Sequence, residues 1–124
     1  MFCRVYITGF EGNELLLLNS ISEVLGKTVN DNLHIEDKCY SLSVRTNDEY
    51  DRKKEKDFPD GFLYFKFLIE IDFSEACDIK YLAESIDHIL EFLWKKKYSA
   101  VASCKIEEFL IEKGGYNSRN LPWP

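Results

Sequence analysis

From Phe2 to Thr8 the chain alternates, with Cys3, Val5 and Ile7 on one face and Phe2, Arg4, Tyr6 and Thr8 on the other. That is the period of two expected of a strand with one buried face. Beyond Gly12 the period changes. Leu17, Leu18, Ile21, Val24 and Leu25 recur at helical spacing, Asn13 stands where an N-cap side chain is wanted, and Gly26 stands where the chain can leave through a left-handed residue. Alternation returns from Cys39 to Thr46, with Tyr40, Leu42 and Val44 facing one way, and a short extended piece at Leu33 to Glu36 precedes it. The clearest pattern runs from Phe62 to Phe73. Its odd positions, Leu63, Phe65, Phe67, Ile69, Ile71 and Phe73, are all apolar, and its even positions are mixed, so the spacing predicts one long strand. Asp78 then caps a second helix whose stripe of Ile79, Leu82, Ala83, Ile86, Ile89, Leu90 and Leu93 spans about five turns. A short last strand, Tyr98 to Ser103, and a brief helix marked by Ile106, Phe109 and Leu110 follow, and Gly114-Gly115 stops that helix.

Two segments fall outside the periodic pattern. Residues 47–61 hold six acids and four bases without a Val, Ile, Leu or Ala, which predicts a solvated, charged hairpin loop closed by the turn chemistry of Pro59-Asp60-Gly61. Residues 116–124 form a C-terminal tail with Trp and Pro. No linker divides the chain, so residues 1–124 are expected to make a single domain. The order strand, helix, strand, strand, helix, strand predicts an α+β, ferredoxin-like βαββαβ sandwich: a four-stranded antiparallel sheet with both helices on one face, plus the short C-terminal helix and tail. Right-handed crossovers place the first and third strands side by side at the centre. The helices then cover the odd face of the third strand and leave its even face for solvent or a partner.

Composition adjusts this picture in three ways. Sixteen Lys and Arg against twenty-two Asp and Glu give a net charge of -6, which repels phosphate and argues against a nucleic-acid binder while favouring basic partners. The longest N-terminal apolar run, Leu15 to Leu18, is too short for a membrane span or a signal sequence, so the expectation is a cytoplasmic chain with no membrane partner. The four cysteines, Cys3, Cys39, Cys77 and Cys104, show no Cys-x-x-Cys pair, which predicts reduced thiols buried as small hydrophobes and no metal site. The two histidines, His34 and His88, lack the flanking residues of a nucleophile elbow or a Cys-His pair. No catalytic residue and no cofactor are therefore expected.

Val5-Tyr6-Ile7-Thr8-Gly9-Phe10 and Asp60-Gly61-Phe62-Leu63-Tyr64-Phe65-Lys66-Phe67 resemble the two short motifs of the RNA recognition motif. The resemblance implies base stacking on Tyr6, Phe62 and Tyr64. It departs from the family at Asp60, which stands where a basic residue contacts phosphate, and at Leu63, where a small residue is usual.

The same sheet face also has the makeup of a protein interface. Tyr6, Phe62 and Tyr64 supply rigid contact area, Glu70 and Asp72 supply charge, and Asp48, Glu49, Asp51 and Asp57 of the charged loop supply a rim. In size, acidity and class the whole chain resembles the immunity proteins of bacterial polymorphic toxin systems, including contact-dependent growth inhibition. That resemblance implies a non-enzymatic inhibitor that occludes a cognate, basic toxin domain such as a nuclease. It rests on no residue motif, so it assigns no residue a role. A homodimer that buries the open sheet faces against each other is the other arrangement such a surface allows.

Overall fold

Two helices and one sheet carry the fold, and each helix begins on the capping residue that local chemistry requires. In the computed structural model, which describes residues 1–124, helix α1 spans Glu14–Leu25. The Asn13 side chain accepts from the Leu16 N–H at 2.9 Å, satisfying a donor that has no partner within the helix. Gly26 ends α1 at φ 65, a left-handed conformation that costs glycine nothing. Helix α2 spans Ile79–Lys95 and is capped in the same way by Asp78, which accepts from the Lys80 N–H at 3.0 Å. The buried stripes of both helices, Leu17, Leu18 and Ile21 in α1 and Leu82, Ile86, Ile89 and Leu90 in α2, lie on one face of the sheet.

The sheet has five strands, β1 (Phe2–Thr8), β2 (Ile35–Glu36), β3 (Tyr40–Thr46), β4 (Phe67–Phe73) and β5 (Ser99–Ser103), in the order β2-β3-β4-β1-β5. Every pair is antiparallel. β1 and β4 are central neighbours as expected, with Val5 opposite Ile69. The expected count of four strands is corrected to five by β2, which pairs Ile35 with Leu42 and buries Ile35 completely. Two residues are too few to display a period, which is why this edge strand is weak in the sequence. Cys3, Val5, Ile7, Leu42, Ile69 and Ile71 form the sheet side of the main core.

The expected third strand starts late. β4 begins at Phe67, and Asp60–Tyr64 winds instead into a 3-10 turn. Gly61 explains the departure: a Cβ there would lie 2.6 Å from the backbone oxygens of Lys54 and Glu55, so only glycine lets the insert close on itself. The expected solvated loop at residues 47–61 is likewise corrected, because three of its polar side chains are used internally. Buried Asn47 donates to Leu63 O and Phe65 O, both at 2.9 Å. Glu55, also buried, accepts from Thr8 Oγ1 at 2.7 Å. Asp51 accepts from the N–H groups of Lys53 and Lys54. The C-terminal tail closes over this insert. The Trp123 ring lies against Phe58 and Phe65, and its indole N–H donates to Lys56 O at 2.9 Å. Insert and tail together form a third layer over part of the sheet face opposite the helices. The expected C-terminal helix is instead one 3-10 turn, Glu107–Phe109, followed by a turn over Ile111–Gly115 in which Glu112, Lys113 and Gly114 take positive φ.

The cysteines divide into two pairs. Cys39 and Cys77 are joined in a disulfide, which corrects the expectation of reduced thiols for that pair. The β3–β4 pairing explains it: the Ser74 N–H donates to Cys39 O, and the turn from Ser74 to Cys77 carries the second sulfur back beside the first. Spacing alone cannot display such a pairing. Cys3 is buried and Cys104 half-buried, and both are free.

Candidate functional site

The sheet face away from the helices is where sequence places a binding surface, and it is divided. Its lower half is occupied by the third layer. Phe62 is buried there, between the Tyr6 ring at 5.3 Å and the Tyr116 ring at 5.7 Å, both edge-to-face. Tyr6 is half-buried by that contact. Tyr64 is half-buried in the 3-10 turn with the Lys54 ammonium 5.1 Å above its ring. Edge-to-face packing is the favoured geometry of two quadrupoles, and here it turns the aromatic planes toward one another rather than outward. The expected aromatic row along two strands is therefore not displayed as a row, and Phe62 is covered.

The other half of the face is open and charged, but its charges answer one another. Glu70 accepts from Arg45 Nε at 2.6 Å and lies 3.8 Å from Arg4 Nε. The Glu70 carboxylate raises the Arg45 guanidinium above its ordinary range. Asp72 is exposed and faces the Met1 ammonium at 3.4 Å. Asp48 is 91% exposed and lies 3.6 Å from Arg45 Nη1. Glu49 and Asp57 are exposed on the insert. Asp51 is held below the usual carboxylate range by the backbone N–H groups of Lys54 and Lys53. Thus Glu70 and Asp72 share the open half-sheet, the aromatic trio belongs to the third layer, and the four loop acids sit on the insert.

A different surface carries several acids that no close ion pair engages. Glu84, Asp87 and Glu91 recur at i, i+3 and i+7 along the outer side of α2, and Glu112 follows Ile111, whose N–H donates to Asp87 Oδ1 at 2.8 Å. None of these carboxylates is in an ion pair. Burial, with repulsion from Glu91 and Glu84, pushes Asp87 above the usual carboxylate range despite the Ile111 N–H. Phe109 and Ile111 stand exposed in the adjoining turns, Phe109 at 63%. Phe109 and Ile79 also line an apolar recess of about 320 Å³ with Met1, Phe73, Leu82 and Ile106. Sequence places no site here, although Glu84, Asp87 and Glu91 recur at helical spacing, and no pattern shows that the C-terminal turns would adjoin them. No helix of the chain is long and apolar enough to cross a membrane.

No protein-family model, no curated protein and no solved structure matches this chain.

Proposed function

We propose that this chain is a non-enzymatic binding protein for a basic protein partner, of the immunity type: it occludes a cognate toxin domain, such as a nuclease, in the cytoplasm of a bacterium. The observation that carries the reading is the unpaired acidic ridge of Glu84, Asp87, Glu91 and Glu112 beside exposed Phe109 and Ile111. Unanswered carboxylates next to apolar surface attract a cationic patch at long range and give it area to bury on contact. Docking through Glu70 and Asp72, which lie on the opposite face of the sheet, would first have to displace Arg45 and the N-terminal ammonium. In this reading the long strands and two helices form a ferredoxin-like unit, with β2 as an added edge strand and the third layer as an elaboration. The Cys39–Cys77 disulfide sets a condition on the cytoplasmic location, since thiols are held reduced there.

The test is rescue of growth. Cells expressing the toxin domain encoded by the adjacent gene should survive when this chain is coexpressed and die without it. In purified form the Glu84→Lys/Glu91→Lys variant should lose binding, Glu70→Gln/Asp72→Asn should keep it, and added salt should slow association. Absence of rescue by the folded wild-type chain would overturn the proposal. Loss of binding only in the Glu70/Asp72 variant would move the interface to the sheet.

A further inference from the structure

Two sulfurs outside the disulfide are also brought together. The β1–β5 register ends with Arg4 opposite Ser103, and Cys3 and Cys104 are the next residue of each segment, just beyond that last pair. Opposed positions of antiparallel strands hold Cα atoms within the window a disulfide requires. The side chains share the helix-side face: Cys3 belongs to the core and Cys104 is packed against it. The two thiols lie close enough to shift each other's protonation in opposite directions. Cys104 is half-buried and reachable from solvent, whereas Cys3 is fully buried.

We infer that Cys3 and Cys104 are a redox-active pair, distinct from the Cys39–Cys77 bridge, in which Cys104 is the reactive thiol, Cys3 the resolving thiol, and a low-molecular-weight disulfide such as oxidised glutathione the oxidant. The chemistry has a direction. The neighbouring Cys3 thiol, helped by the Ile106 backbone, holds the Cys104 thiol below the ordinary range. The complementary effect of that contact, with burial, keeps Cys3 protonated. A thiolate attacks a disulfide and a neutral thiol does not, so the exposed member reacts first. The Cys104 thiolate attacks one sulfur of glutathione disulfide, forming a mixed disulfide and releasing one glutathione thiolate, which takes a proton. Cys3 then gives up its proton and attacks the Cys104 sulfur, releasing the second glutathione. In sum, two protein thiols and one glutathione disulfide become one protein disulfide and two glutathione thiols. The new bridge ties the start of β1 to the end of β5, beside Met1 and Ile106 of the apolar recess. The inference does not depend on the proposed partner.

The test is peptide mapping by mass spectrometry of the native chain titrated with oxidised against reduced glutathione. The wild type should lose both free thiols together, show a Cys3–Cys104 cross-linked peptide and retain no glutathione. Cys3→Ala should stop at a stable glutathione adduct on Cys104, and its Cys104 should react several-fold more slowly with iodoacetamide. Cys104→Ser, which alters the half-buried position only, should leave Cys3 unreactive in the folded chain. A persistent adduct on wild-type Cys104, a bridge from either residue to Cys39 or Cys77, or no reaction of either thiol in the folded protein would overturn the assignment.

Discussion

The two faces of the sheet are covered by different means. On one, α1 and α2 lay continuous aliphatic stripes over β1, β3 and β4, and the disulfide ties the start of β3 to the segment leading into α2. A closed loop of that length, 38 residues, is worth about 4 kcal/mol in the chain-entropy account. On the other face, coverage is partial and comes from segments without period. It is held by a small hydrophobic cluster of Phe62, Phe65 and Val101 with Tyr6 and Trp123, and by single hydrogen bonds such as Thr8 to Glu55, Tyr116 to Asp60 and Trp123 to Lys56. The difference teaches that a repeated pattern builds the scaffold, whereas the third layer depends on individual side chains, each replaceable with a local effect.

The strongest way to break that contrast is to empty each core in turn. Ile69→Ala removes fully buried volume on the helix face and should lower unfolding free energy by about 2 to 5 kcal/mol with an unchanged denaturant slope. Phe65→Ala, equally buried in the third layer, should cost about 3 to 5 kcal/mol and also lower the slope, because that layer is then already open in the native state. Equal slopes in urea melts of the two variants would mean that the layers form one cooperative unit.

A milder cut sharpens the same question. Trp123 is half-buried, so Trp123→Ala should cost about 1 to 3 kcal/mol, less than emptying a full core site. Hydrogen exchange gives the decisive readout. The amides of Gly61 and Phe65, which bond to Asp57 O and Phe62 O, should lose protection while those of β1 and β4 keep theirs. A uniform loss across both faces would contradict a separately opening layer.

The same contrast explains what could be read from the chain before its structure. Both helices, β1, β3 and β5 follow from periodicity and caps, and the central pairing of β1 with β4 follows from the right-handedness of the crossovers. Leu63 and Phe65 continue the alternation and so predict strand over residues 62–66, yet Gly61 and the carbonyls it lies against turn the backbone there. Asn47 and Glu55 looked like loop solvation, since their partners at Phe65 and Thr8 are remote in sequence and nothing local announces them. For the binding surface, the direction of Glu70 and Asp72 was legible from strand parity. Their neutralisation was not, because it needs the β3–β4 register that sets Arg45 opposite Leu68 and beside Glu70.

The smallest expected effect concerns a polar latch at the edge of the helix side. The Asp37 side chain is 6% exposed and lies 2.6 Å from Lys27 Nζ. It also accepts from the Tyr81 hydroxyl at 2.8 Å and from the Cys39 N–H at 3.0 Å. Burial opposes its charge, but the Lys27 ammonium and these two donors outweigh burial and hold Asp37 below the usual carboxylate range. A depressed folded value means that folding favours the charged form. The stabilisation is therefore complete above the unfolded value of about 3.9 and is lost as pH falls through the folded one. Asp37→Asn should cost about 1 kcal/mol at neutral pH, since Lys27 remains partly hydrated. In urea melts taken at successively lower pH, the gap between wild type and variant should close below about pH 4. A gap that stays constant to the acid limit would show that Asp37 acts through hydrogen-bond geometry and not through its charge, so that neither face of the sheet relies on a titrating group.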